Sequence, residues 1–163
     1  MIAHRTAATP ARCAIMVVSL VAALLAPGAL HAQIAVFPVQ NLSFGTLRPG
    51  AAELVDTEDP VRRAEFELVG SGNVVVSVVL PTEMVSASGA RLPLSFSKKD
   101  AALEERGSGK VKSFDPHKSR HFNIKDRDGG ARIYLGGMAL PDASQPPGRY
   151  TGTVVIQIVA AGT

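Results

Sequence analysis

Two histidines, His117 and His121, stand four positions apart. On a helix this spacing would place both imidazoles on one face, where they could bind a metal ion together. Pro116 and the dense charge around the pair favour a solvated loop instead, and no third ligand is evident. We therefore expect no metal site here.

Two other segments resemble the beginnings of ligand-binding loops. Asp126-Arg127-Asp128-Gly129 places two carboxylates before a glycine, but it lacks the third acidic position and the bidentate glutamate of a calcium loop. Gly107-Ser108-Gly109-Lys110 lacks the upstream glycine and the following Ser or Thr of a phosphate loop. We interpret the first as a hairpin turn and the second as a loop tip, and we expect no cofactor.

The residues that could catalyse a reaction do not form a catalytic pattern. Glu104 and Glu105 are adjacent, so their side chains point apart and cannot act as a paired acid and base. No serine stands in a nucleophile-elbow context. Tyr150 could stack on a ligand, but a tyrosine opening a sandwich strand more often packs on one end of the core. The sequence predicts no catalytic residue and a non-enzymatic protein.

A basic group could contact an acidic polysaccharide, or it could only keep its segment soluble, which we favour. It comprises Lys110, Lys112, Lys118 and Arg120.

Residues 1–32 have the pattern of a cleaved secretory signal peptide. A basic start is followed by apolar residues 14–26, interrupted only by Ser19, and by the small residues of a cleavage site ending at Ala32. Thirteen apolar residues rise only about 20 Å as a helix, too short for a hydrocarbon core of roughly 30 Å. We expect a secreted protein, in the periplasm or at a bacterial cell surface, with no membrane segment after cleavage and one domain over residues 33–163.

Cleavage would change the charge balance of the chain. The full sequence has 163 residues with 17 Lys and Arg against 14 Asp and Glu, and the leader holds two basic residues and the single cysteine, Cys13. The remaining 131 residues carry a net charge of +1 and no cysteine. This balance gives no reason to expect nucleic acid as a partner, and a disulfide is excluded.

The rest of the chain alternates apolar and polar residues in short runs bounded by Gly, Pro, Asn and Asp, the pattern of half-buried antiparallel strands. In the clearest run, Ala64, Phe66 and Leu68 alternate with Glu65 and Glu67. We predict eight strands, at residues 42–47, 52–55, 62–69, 74–80, 91–97, 122–124, 132–135 and 150–160.

Residues 98–120 interrupt this pattern with seven basic and four acidic residues, and we predict a long solvated loop there. Eight short strands without a helix for a parallel crossover predict an all-β fold. We expect an antiparallel, immunoglobulin-like and pilin-like β-sandwich, with a closed barrel as the alternative.

Four spans carry a family resemblance, listed here in chain order. They are Asn41-Leu42-Ser43-Phe44-Gly45-Thr46-Leu47, Ala64-Glu65-Phe66-Glu67-Leu68-Val69-Gly70, Leu135-Gly136-Gly137-Met138-Ala139-Leu140-Pro141 and Gln145-Pro146-Pro147-Gly148-Arg149-Tyr150-Thr151-Gly152-Thr153-Val154. In order and spacing they resemble a bacterial secreted domain of unknown function, family 4402. That family is similar to spore coat protein U and to the chaperone-usher pilins.

The resemblance implies a structural role, no catalytic residues, and an incomplete sandwich to which a neighbouring subunit supplies a strand. Copies of the chain or related pilin-like subunits, with a periplasmic chaperone, would be the partners. Residues 33–40 would be the donor segment, since eight extended residues reach roughly 27 Å. The partner-strand residues would be Ile34, Val36, Phe37, Val39, Val154, Ile156 and Ile158.

Pairing of residues 33–40 within their own domain remains an open alternative, since they run into Asn41 without a linker and contain Pro38. The alternative function is a self-complete monomeric binding or adhesion module that uses the charged loop 98–120.

Overall fold

The computed structural model describes residues 34–107, 109–125 and 130–161, and the strands in them number thirteen, with no helix among these residues. The predicted signal peptide lies outside the described residues. In chain order the strands are β1 Ala35–Gln40, β2 Glu53–Val55, β3 Ala64–Val69, β4 Gly72–Val79, β5 Glu83–Ser86, β6 Arg91–Ser95, β7 Ala101–Glu105, β8 Lys110–Phe114, β9 Arg120–Ile124, β10 Ala131–Leu135, β11 Gly137–Ala139, β12 Tyr150–Thr151 and β13 Val155–Ala160.

All strand pairs are antiparallel, and they form three sheets. The first sheet has the order β1-β3-β10-β7-β8, the second β12-β5-β6-β11-β2 and the third β13-β4-β9. The predicted all-β antiparallel sandwich is therefore confirmed. More strands form than the eight predicted, because several pairs are only two to four residues long and leave too short a pattern to detect.

Two apolar clusters form the core. The larger one lies between the first and third sheets and includes Leu68 of β3, Val76 of β4 and Ile133 of β10. The smaller one belongs to the second sheet and includes Val55, Leu92 and the non-strand residue Phe44. The period-two alternation of β3 and β4 explains why these residues are buried, since every second side chain of a strand faces the same side.

The charged segment 98–120, predicted as a solvated loop, contains β7 and β8 and is a correction to the sequence analysis. β7 lies inside the first sheet between β10 and β8, and Ala101, Ala102 and Leu103 are all buried. Consecutive burial produces no alternation, because the core covers one face of β7 while Tyr134, opposite Ala102, covers part of the other.

The chain passes from the first sheet to the second between β10 and β11. Gly136 makes the passage, and its amide donates to the carbonyl of Asp100 at 2.8 Å. A Cβ atom on Gly136 would lie 2.3 Å from the carbonyl oxygen of Val55, closer than any real contact. The two glycines of the Leu135-Gly136-Gly137 span are thus explained by close backbone approach.

We predict that Gly136→Ala lowers the free energy of unfolding by about 2–4 kcal/mol, because the backbone of β2 must move to admit the methyl group. Gly45→Ala is the matched control, since Gly45 has a φ of 67° but no atom lies within 4 Å of the position that an added methyl group would take. The control should lose only about 1 kcal/mol. Equal losses in urea unfolding of the two variants would contradict this account.

Candidate functional site

An open groove of about 1110 Å³ lies between two extended stretches of chain, residues 41–49 and 145–154. Its floor is apolar and includes Ala64, Phe66 and Leu92. Arg149 is the one charged side chain among the described residues that line it. Such a lining suits an uncharged, extended polypeptide better than a charged ligand.

One wall of the groove is a stretch of chain without a strand partner. Residues 42–47 were predicted as the first strand, and their apolar side chains Leu42, Phe44 and Leu47 do pack on the smaller core cluster. Within the described residues no strand pairs with them, and the amide of Ser43 donates to the carbonyl of Arg62 at 2.8 Å. The predicted strand is therefore wrong as secondary structure, although the predicted burial of its apolar residues is correct.

The opposite wall is held in place by a tyrosine. The Tyr150 hydroxyl donates to the carbonyl of Pro146 at 2.6 Å and accepts from Gln145 Nε2 at 2.7 Å. The same Nε2 also donates to the carbonyl of Arg91 at 3.1 Å. Tyr150 thus packs at one end of the core and bonds the backbone, as expected from the sequence, and it fixes the lip of the groove.

The strand predicted over 150–160 is interrupted at residues 152–154 and divides into β12, at the edge of the second sheet, and β13, at the edge of the third. Val154 lies in the interruption and lines the groove. Ile156 and Ile158 follow in β13 and pack, half-buried, against the larger core cluster. The last strand therefore runs along the open side of the sandwich.

The three sheets have six edge strands, and five of them carry a feature that discourages pairing. β1 contains Pro38 and a register shift after it. β8 carries Lys110 and Lys112, β9 begins at Arg120, and β2 and β12 are only three and two residues long. β13 has six residues without proline, charge or a break in register, so it is the unprotected edge of the described residues.

The N-terminal residues proposed as a donor strand are paired within their own chain. Val36, Phe37 and Val39 lie in β1, which pairs with β3, and Ile34 precedes it against the larger core cluster. The side chains of Phe37 and Val39 remain 52% and 54% exposed. This is the arrangement that the sequence left open as the alternative.

The outer face of the first sheet gathers the titratable residues of the sandwich. Glu104 accepts a hydrogen bond from the Tyr134 hydroxyl, and Arg63 stacks 3.5 Å above the ring of Tyr134. Burial raises the pKa of the Tyr134 phenol, and the bond to Glu104 raises this pKa further. Glu65 pairs with Arg132 at 3.1 Å. These charges neutralise one another along the ladder, which is a structural arrangement.

Glu105 points away from Glu104 and pairs with Lys112 at 2.6 Å. The two adjacent carboxylates therefore lie on opposite faces of β7, as their spacing predicted.

The two histidines are not brought together on a helix. The Nε2 atom of His117 lies 2.8 Å from the carbonyl oxygen of Phe96, whereas His121 lies in β9 opposite Val75. Within residues 34–107, 109–125 and 130–161 there is no group of three or more His, Cys, Asp or Glu side chains that could hold a metal ion.

The glycine segment 107–110 lies at the turn from β7 to β8, not before a helix, and Ser108 is outside the described residues. The calcium-like segment 126–129 also lies outside them. Of the basic group, Lys110 and Lys112 are in β8, Lys118 is in the following turn, and Arg120 begins β9. The group is therefore divided between edge strands of two sheets.

Comparison with known families gives a match over residues 45–160 to the family described as Domain of unknown function (DUF4402). The chain belongs to the DUF4402 family. The match covers three of the four spans quoted from the sequence in full and only the end of the first. No curated protein and no solved structure gave a match. Over the part of this DUF4402 chain that the structure describes, no helix is long and apolar enough to cross a membrane.

Sequence reasoning missed the groove as a cavity and β13 as the one unprotected edge. The signal for the edge was available, because 155–160 is an apolar strand without a charge, but its significance depends on knowing which strands are edges.

We predict that Tyr150→Phe and Gln145→Ala each lower the free energy of unfolding by about 1 kcal/mol, because each leaves a hydrogen-bonding group of the lip without its partner. Since both variants break the same bond, the double variant should lose at least about 0.5 kcal/mol less than the sum of the single losses. Urea unfolding of the four proteins measures this coupling. Additive losses would show that the bond does not hold the lip.

Proposed function

We propose that this protein is a non-enzymatic secreted structural subunit of a surface fibre, pilus or coat that assembles by strand complementation. In this proposal a strand of a neighbouring subunit enters the groove between residues 41–49 and the last strand. The single observation that carries the proposal is the partnerless wall of the groove, which presents extended chain and apolar side chains on the open side of a sandwich.

Backbone chemistry supports a strand as the occupant. Backbone N–H and C=O groups along residues 42–47 and along the free side of the last strand require partners, and an inserted strand would supply them on both sides at once. The apolar floor would be sealed by alternate side chains of the same strand. An aqueous small molecule would satisfy neither requirement over the length of the groove.

The donor in this proposal is the segment 34–40 of a neighbouring subunit, exchanged from its own β3. β1 is weakly anchored there, because Pro38 removes one ladder donor and the register shifts before Gln40. Phe37 and Val39 are half exposed on their own sheet, and burial in a groove stabilises such side chains by about 25 cal/mol per Å² of apolar area. Exchange of an identical element between subunits builds assemblies at low cost in contacts.

Copies of this chain or related pilin-like subunits would be the assembly partners, and a periplasmic chaperone would cover the groove before assembly. The signal-peptide pattern of residues 1–32 supports secretion to the periplasm or the cell surface.

The pairing of β1 with its own β3 favours the second candidate function, a self-complete monomeric binding or adhesion module. That candidate was based on a charged loop over 98–120, which instead contains β7 and β8. We therefore retain the structural subunit as the proposal, and we test it by preventing the exchange.

The test uses Phe37→Cys with Glu67→Cys, two residues directly opposite each other in β1 and β3. In a Cys13→Ser background these would be the only thiols, and their disulfide would lock β1 onto its own sheet. We expect the reduced protein to form a concentration-dependent ladder of oligomers in light scattering, and the oxidised protein to remain monomeric.

The matched control is Asn73→Cys with Asn123→Cys, which joins β4 to β9 and leaves β1 free. It should assemble in both redox states. Assembly of the oxidised β1 lock would show that residues 34–40 are not the donor. Monomers in every form at every concentration would overturn the fibre proposal and favour the monomeric module.

A further inference from the structure

The free edge of β13 has a sequence that is the same in both directions. Residues 155–159 are Val-Ile-Gln-Ile-Val, centred on Gln157. An antiparallel pair of two such strands, centred on Gln157, places Val155 opposite Val159 of the other copy and each Gln157 opposite its equivalent. From this we infer that β13 also binds a second copy of itself, forming a two-fold dimer through a continuous six-stranded sheet.

The register of this pair follows from the geometry of sheets. Residues directly opposite each other in an antiparallel pair point to the same face. Ile156 and Ile158 face the core, so they must lie opposite each other, and Val155 and Val159 must pair on the outer face. Pairing centred on Gln157 satisfies both conditions with no mismatched residue.

The outer face of the third sheet supports an uncharged partner. Its outward positions along β13 are Val155, Gln157 and Val159, which lie opposite Val79, Ser77 and Val75 of β4. None of these six residues is charged. Val155 and Val159 are 43% and 65% exposed, and pairing with an equivalent strand covers part of both side chains.

Another copy of β13 fits this edge better than a charged surface does. A nucleic acid or an acidic glycan would bring charges to a strand that has no charge to pair with them, and their desolvation would oppose binding. The self-pair brings apolar residues to apolar residues and an amide to an amide. The inference rests on the free edge and the sequence order of β13, and it does not depend on the proposed fibre.

Self-pairing has one consequence for the proposed function, and this consequence alone rests on it. The dimer occupies the side of the last strand that a donor strand would need, so dimerisation and complementation exclude each other.

The first test is a disulfide across the two-fold axis, made by Gln157→Cys in the Cys13→Ser background, where the introduced thiol is the only one. Opposite Cα atoms in an antiparallel pair are roughly 4.5–5.5 Å apart, within the range that a disulfide spans. Val155→Cys is the matched control, because its equivalent in the dimer lies four residues along the strand, roughly 14 Å away. Mild oxidation should yield covalent dimers of the first variant and at least about tenfold less from the second.

The second test exchanges charges at the predicted pair. V155K/V159E places a lysine opposite a glutamate twice and should remain dimeric in light scattering, whereas V155K/V159K and V155E/V159E place like charges together and should dimerise at least roughly tenfold more weakly. Mixing the two like-charged proteins should restore dimers. Equal crosslinking at positions 155 and 157, no crosslinking at either, or identical masses of all charge variants would overturn the inference. None of these results alters the outcome of the β1 lock, which tests the fibre.

Discussion

Backbone hydrogen bonding at the sheet edges is the constraint on which the rest of this structure depends. A strand inside a sheet has partners on both sides, whereas an edge strand presents a row of unpaired N–H and C=O groups to solvent or to another chain. Five edges are shortened, charged or broken by proline, and β13 is not. The unprotected edge and the partnerless residues 42–47 together border the open side, and for that reason the smaller core cluster ends in a groove instead of a third wall.

The parts of the fold that the sequence predicts are those in which each strand has one buried and one exposed face. β3 shows this, with Leu68 fully buried and Glu65 and Glu67 on the outer face. β7 does not, because three consecutive residues are buried among flanking charges, and burial on both faces removes the period of two. The segment at 42–47 shows the opposite error. Its alternation reports correctly which side chains are buried, but a local pattern contains no information on whether another strand lies alongside.

The candidate site divides in the same way. Val154, Ile156 and Ile158 lie along the open side, because their alternation fixes which face of the last strand meets the core. The pairing of β1 could not be predicted from residues 34–40 alone. Its partner, β3, is some thirty residues away along the chain, and the choice between its own sheet and another subunit is made by contacts distant in sequence. The charged residues that suggested chemistry, Glu104 above all, are explained by ion pairs and hydrogen bonds across the first sheet.

An edge that is open for assembly also meets other copies of itself, and the symmetry of the contact decides the product. A donor strand inserted into the groove of the next subunit is a head-to-tail contact, which leaves one donor and one groove free and so propagates. A strand paired with its own equivalent about a two-fold axis uses the same surface on both copies and closes at two. The order Val-Ile-Gln-Ile-Val makes the closed pairing the one in which every residue of this stretch meets its match. An uncharged edge of this kind would otherwise be an aggregation hazard, and its symmetry limits the self-association to a dimer from which a donor strand can still compete for the edge.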